Sequence, residues 1–207
     1  MNNTELLTDY LKEEFPMLQE GLLHLNYSPH LLNIQIKDDE HSNTALQRAD
    51  TIFKTLHTKA DDIFVVVNFH LPVQMTKQEL CTKVDWADIF KNQRCLNRLE
   101  LIEKPYDHSE TSNLKTFQYC VTCQVSSIRY QRLIEHIVNQ NPTLQKDGYM
   151  ECFFIHPTKH IIMHIWNPEK LTVSANQKRS LKKLEKNYND WIAAGTTDEL
   201  KTKQKIV

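Results

Sequence analysis

Ile63-Phe64-Val65-Val66-Val67-Asn68-Phe69 is β-branched, aromatic and almost continuously apolar. Such a run reads as a central strand covered on both faces, because a strand with one wet face would alternate with polar residues. Covering both faces requires further layers, so this one stretch implies a sheet with helices packed against it.

The flanking sequence supplies those layers. Before the run, Leu46, Ala49, Ile52, Phe53 and Leu56 recur at helical spacing up to His57. Asn33-Ile34-Gln35-Ile36-Lys37 alternates like a half-buried strand. Thr4 is placed to cap a helix carrying Leu6, Leu7, Tyr10, Leu11 and Phe15, which Pro16 ends. After the run, Thr76-Lys-Gln-Glu79 has capping-box spacing ahead of Leu80, Val84, Ile89 and Phe90, with Asp85-Trp86 as an interruption. Arg98 to Ile102 and Phe117 to Val125 read as strands, separated by the polar loop from Asp107 to Asn113. Ser126 or Ser127 then caps a helix with Tyr130, Leu133, Ile134, Ile137 and Val138, which Asn141-Pro142 terminates.

Tyr149 to Ile155 and His160 to Trp166 flank Pro157-Thr158-Lys159 as a hairpin, and Leu171-Thr172-Val173 adds a short strand. A final helix from Ser174 or Asn176 carries Leu181, Leu184, Tyr188, Trp191 and Ile192 on one face and stops at Gly195. The expected fold is α+β: a mixed sheet with helices against it, a closing hairpin and a C-terminal amphipathic helix. It forms one domain over residues 1–195, followed by a charged, flexible tail over 196–207.

Composition narrows the function. The 207 residues carry 25 Lys and Arg against 26 Asp and Glu, a net charge of -1. No field draws in nucleic acid or an anionic membrane. Neither an export signal nor a span of apolar residues is visible, and an odd count of five cysteines reads as free thiols, so a reducing cytoplasm is expected. With three glycines in the whole chain, there is no glycine-rich phosphate loop and no nucleophile elbow.

Cys120-Val-Thr-Cys123 has redox or half-zinc spacing, but residues three apart on a strand face opposite ways, so two ordinary thiols are expected. His156, His160 and His164, with Cys152, form the one cluster of metal-ligand types; a half-exposed sheet face is the first reading and a metal centre the alternative. Asp61-Asp62 and Asp38-Asp39-Glu40 could hold a divalent cation but read first as solvated turns. Lys178, Arg179, Lys182, Lys183 and Lys186 make a wet basic face that could greet an acidic partner. Of the tryptophans, Trp191 belongs to the core by register, while Trp166, beside Asn167-Pro168, is an interface candidate.

From Gly148 through the hairpin to Asn187-Tyr188-Asn189-Asp190-Trp191-Ile192, the chain resembles the uncharacterised bacterial family of the domain of unknown function 3885. The resemblance extends back to Ile63–Asn68 and to Asn97-Arg98-Leu99-Glu100. It departs where relatives have an Asp-Asp-Arg-Gly turn and this chain has Asn167-Pro168-Glu169-Lys170. The resemblance implies the fold and a bacterial cytoplasmic setting, and no activity.

By elimination, a non-enzymatic protein-binding module is expected, immunity-like or antitoxin-like, with no cofactor and with Trp166, Asp38, Asp39, Lys182 and Lys183 as contact candidates. The partner is another protein rather than nucleic acid or membrane, and a hydrophobic edge at the hairpin leaves a homodimer open. The alternative is a metal-dependent enzyme or metal-binding protein built on the histidine hairpin.

Overall fold

The computed structural model describes residues 2–16, 18, 25, 28, 30–37, 44–76, 84–104, 114–140 and 148–193. Asp38, Asp39, the 77–83 part of the capping-box segment, the 107–113 loop, Asn141-Pro142, Gly195 and the tail lie outside the described residues.

The apolar run around Val66 forms β2 (Asp62–Pro72), buried without interruption from Ile63 to Leu71. Six further strands join it: β1 (Leu31–Gln35), β3 (Glu100–Glu103), β4 (Leu114–Gln124), β5 (Tyr149–His156), β6 (Ile161–Ile165) and β7 (Lys170–Ala175). They form a single seven-stranded sheet in the order β1-β7-β6-β5-β2-β4-β3. The helices are α1 (Asn3–Glu14), α2 (Thr44–Leu56), α3 (Trp86–Ile89), α4 (Gln93–Asn97), α5 (Tyr130–Val138) and α6 (Lys182–Asn187).

The α+β class is as expected, but every pairing is antiparallel rather than mixed. The reason is topological. β4 and β5 run parallel to each other with α5 between them in the chain, as a crossover requires, yet β2 is inserted between them and hydrogen-bonds both. The hairpin is likewise interior, since β5 also pairs with β2 and β6 with β7, so it offers no free edge for a second copy.

One face of β2, with Val65, Val67 and Phe69, packs under Ala49, Ile52, Phe53 and Leu56 of α2 and Leu133, Ile134 and Ile137 of α5. Phe53 stacks on Tyr130 and meets Phe154 edge-on at 4.9 Å. The other face, with Phe64 and Val66, packs against Leu7 and Phe15 at α1. Each such side chain contributes about 1.5–3 kcal/mol on burial.

Several boundaries differ from the pattern in the sequence. Asn2, not Thr4, caps α1, in a reciprocal capping box with Glu5. The two next donors, Asn3 N and Thr4 N, go to the Glu100 carboxylate at 2.8 and 3.0 Å, so an edge-strand acid completes the cap. Burial pushes the Glu100 carboxyl up, and the donors of Asn3 and Thr4 together more than reverse that, holding it below its usual range. Neither Ser126 nor Ser127 caps α5; they lie in a 3-10 turn, and the helix begins at Tyr130 without a side-chain cap. Asp85 caps α3, its side chain accepting from Ala87 N; the stretch ahead of Val84 lies outside the described residues. The C-terminal helix is also shorter. Ser174 is buried in β7, and the rest breaks into a 3-10 turn (Lys178–Leu181), α6 and a second 3-10 turn (Asn189–Trp191). The break lets Ala193 N reach Asn33 O at 2.9 Å and Ile192 bridge Ile34, capping the β1 edge.

Replacing Glu100 by Ala strips two orphan amides of α1 and should lower stability by about 1–2 kcal/mol in urea unfolding at pH 7. Gly148 sits at φ +102, where an added Cβ would stand 2.6 Å from His70 O. Gly148→Ala is therefore expected to cost about 2 kcal/mol or more in the same assay, and to shift the β2–β5 pairing seen by hydrogen exchange at His70.

Candidate functional site

Along β2, side chains alternate between the two faces, and toward its C-terminal end the α1-side face turns from Phe64 and Val66 to Asn68 and His70. The register sets Asn68 opposite Glu151 of β5 on one side and Gln118 of β4 on the other. His164 of β6 and Thr172 of β7 continue the same row toward Asn33 of β1. A polar stripe therefore crosses the sheet from β1 to β4. Asn68, Gln118 and His70 in it are buried, at 0%, 2% and 8% exposure.

Buried polar groups must be paired, and here the pairing converges on one carboxylate. Glu151 Oε2 lies 2.7 Å from His164 Nε2, and Oε1 lies 3.0 Å from His70 Nε2 and accepts from Asn68 Nδ2 at 2.9 Å. Gln118 Nε2 donates to Asn68 Oδ1 at 2.9 Å, and the Thr116 hydroxyl meets His70 Nδ1 at 2.9 Å. The rings are fixed by stacking, His70 on Tyr149 at 4.3 Å and His164 on Phe153 at 4.0 Å. Burial pushes the Glu151 carboxyl up; the charge and hydrogen bond of His164, followed by those of His70, more than reverse this and hold it well below the usual carboxylate range.

Thr116, His70 and Glu151 reproduce the hydroxyl–imidazole–carboxylate order of an acyl-transfer relay. The hydroxyl is not presented for attack, however. Thr116 is 9% exposed within a strand, and its carbonyl is bound by Lys104 N at 2.9 Å. Glu151 is also shared with a second imidazole, which suits a fixed framework better than a moving proton.

A second cluster lies at the other end of β2 and on the other face. His57 follows α2, Asp61 precedes β2 and His156 ends β5. Their ligand atoms all lie within 4.8 Å of one another. Asp61 Oδ2 is 3.0 Å from both His156 Nε2 and Lys159 Nζ, and Lys159 Nζ also donates to Leu56 O at 2.8 Å, capping α2. Burial pushes the Asp61 carboxyl up, but the Thr58 N–H and hydroxyl, which donate to it, together with Lys159 and His156 more than reverse this and hold it well below the usual range. His57 is 5% exposed, stacks over His156 at 5.6 Å, and has a partner at neither ring nitrogen. Burial, then the charges of His156 and Lys159, push it down to about 3.

The candidate hairpin cluster is dispersed. Cys152 and His156 share the α2 side of the sheet, with Cys152 fully buried; His164 faces the opposite side; and His160, at φ 51 in the turn, lies 3.0 Å from Glu14 of α1. Among the described residues, only His156 of these four stands in a group with metal-ligand geometry. Its companions His57 and Asp61 come from elsewhere in the chain, and of these the sequence pointed only to Asp61. Nor is the hairpin a half-exposed face, since both faces of the sheet are covered there. Cys120 and Cys123 occupy opposite faces, as strand alternation requires; burial pushes both thiols up to about 12. Trp166, 39% exposed, and Val73, 48% exposed, are the exposed large hydrophobics among the described residues, both just past strand ends at the Glu151 end of the sheet. Lys182 and Lys183 are exposed on α6. The Asn167 side chain accepts from Glu169 N and Lys170 N at 2.8 and 2.7 Å, so the divergent turn is self-closed, and Glu169 O binds the end of β1 through Ile36 N.

Glu151→Gln keeps the shape but turns an acceptor into a donor facing other donors, and should cost about 2–4 kcal/mol at pH 7. Because the unfolded chain takes up the proton first, the carboxylate's contribution is intact above its unfolded value of about 4.3 and is lost as pH falls below it. Urea unfolding at several pH values should therefore show the gap between wild type and Glu151→Gln narrowing below about pH 4.

No helix among the described residues is long and apolar enough to cross a membrane. No solved structure matches the chain. An uncharacterised protein of Bacillus subtilis (strain 168), YnaE, is 25% identical over 173 residues, covering 76% of this chain and 80% of its own length. The Tyr-Asn-Asp-Trp-Ile run has a structural role here: Tyr188 bonds Thr55 of α2 at 2.7 Å, Trp191 lies under Arg48 of α2, and Ile192 bridges β1. The family model of the domain of unknown function DUF3885 matches residues 7–194, and the chain belongs to that family.

Proposed function

We propose that this chain is a non-enzymatic protein-binding module of the cytoplasm, masking a working surface of another protein as immunity proteins and antitoxins do. The observation that carries this reading is the placement of Trp166. A large aromatic side chain stands 39% exposed at the end of β6, beside a sheet end whose polar groups are already paired with one another. Rigid aromatic side chains on a fixed scaffold are what protein interfaces use as anchors, since little conformational entropy is lost on docking.

The residues that could do chemistry support the same reading. Glu151 is engaged by two imidazoles and an amide, and burial pushes Cys120 and Cys123 up to about 12 and Cys152 well above the usual thiol range, away from thiolate reactivity. The exposed Lys182 and Lys183 add a basic rim suited to an acidic partner.

A photo-crosslinking residue installed at position 166 should trap one discrete protein adduct in the host cell, with none at the exposed control position Gln47. Trp166→Ala should weaken binding of that partner about 30-fold or more while shifting stability by less than about 1 kcal/mol. Equal adducts at both positions, or a partner indifferent to Trp166→Ala, would overturn the assignment of this surface.

A further inference from the structure

We propose that His57, Asp61 and His156 form a binding site for one transition-metal dication, Zn2+ foremost, whose place is held in the metal-free protein by the Lys159 ammonium. This goes beyond the protein-binding reading and does not depend on it.

The donor set is two imidazoles and one carboxylate, a combination that suits borderline dications and leaves coordination positions for water or a further ligand. An ion about 2.0–2.2 Å from each donor spaces its ligand atoms roughly 3–4 Å apart, so the observed limit of 4.8 Å needs only a small contraction. His57 supplies the independent sign. Each of its ring nitrogens lacks a partner although the residue is 95% buried by its 5% exposure, and an unpaired buried polar group is costly unless something occupies the space it faces. A ring there for packing alone, against Phe53 at 4.5 Å, would be better served by phenylalanine.

The contacts around the cluster are those a cation would replace. Lys159 places its ammonium 3.0 Å from Asp61, so the negative charge already attracts a cation, and the lysine side chain is 42% exposed and free to turn into water. The His156 ring stands 3.0 Å from Asp61 but without hydrogen-bond alignment, leaving its Nε2 without a bond. When the ion binds, the Lys159 ammonium leaves Asp61. The long 3.3 Å contact from Lys159 N to His156 Nδ1 opens as that nitrogen takes up the ring proton. The site is thus a competition between an internal and an external cation, and its affinity is set by how firmly Lys159 holds.

The test titrates Zn2+ into the full chain, stripped with a chelator, by calorimetry and by thermal unfolding. Wild type should bind one ion per chain and melt several degrees higher at about 100 times Kd. His57→Phe should fold with an unchanged or higher metal-free melting temperature and lose the Zn2+ response, while Lys159→Met should bind Zn2+ about tenfold more tightly. Zn2+ binding that survives His57→Phe, no binding by wild type at about 1 mM, or a Lys159→Met variant no tighter than wild type would each overturn the proposal.

Discussion

Everything in this fold answers to one constraint: β2 is covered on both faces, so every polar atom its side chains carry must find a partner inside the protein. Its apolar positions satisfy that demand through α2 and α5 above and α1 below. Asn68 and His70 cannot, and the sheet order follows their need. Inserting β2 between β4 and β5 places Gln118 and Thr116 on one side and Glu151 on the other, within hydrogen-bonding distance. A buried network of this kind adds little net stability over an apolar core, but it penalises any register in which one member loses its partner. One residue of slip in β5 would move Glu151 to the opposite face and strip Asn68 Nδ2 and His70 Nε2 of their shared acceptor.

The same alternation that builds the polar stripe separates it from the His57–Asp61–His156 cluster. Glu151 and His156 are five residues apart on β5, hence on opposite faces and at opposite ends of β2. The sheet therefore carries two groups of imidazole and carboxylate of different character. In one, both imidazoles and the carboxylate are bonded to one another. In the other, a buried imidazole has a partner at neither nitrogen, and an ammonium from the hairpin turn bonds the carboxylate. That difference is why the first reads as framework and the second as a site.

The family's terminal motif belongs to neither group. Tyr188 and Trp191 reach back to α2 through Thr55 and Arg48, while Ile192 and Ala193 close the β1 edge. The helix expected there is broken because residues up to Ala193 must leave the helical path to meet β1, and backbone pairing at an exposed edge satisfies groups that a continued helix would leave to water.

By itself the sequence determined what is local. The apolar run at Ile63–Phe69, the hairpin about Pro157 and the helical faces of α2 and α5 were legible, because burial imposes a period of 2 or 3.6 on neighbouring residues. The opposite facing of Cys120 and Cys123 followed from the same rule. What only the tertiary structure decided is which distant positions meet: Asn68 with Glu151 across 83 residues, Lys159 with Asp61, and β2 between β4 and β5. Hydrophobic periodicity is indifferent to strand order, and a histidine's spacing in the chain says nothing of its face once a turn intervenes. The hairpin histidines therefore looked like one cluster and are three separate environments, while the cluster that exists draws His57 from a helix end whose sequence offered only a boundary.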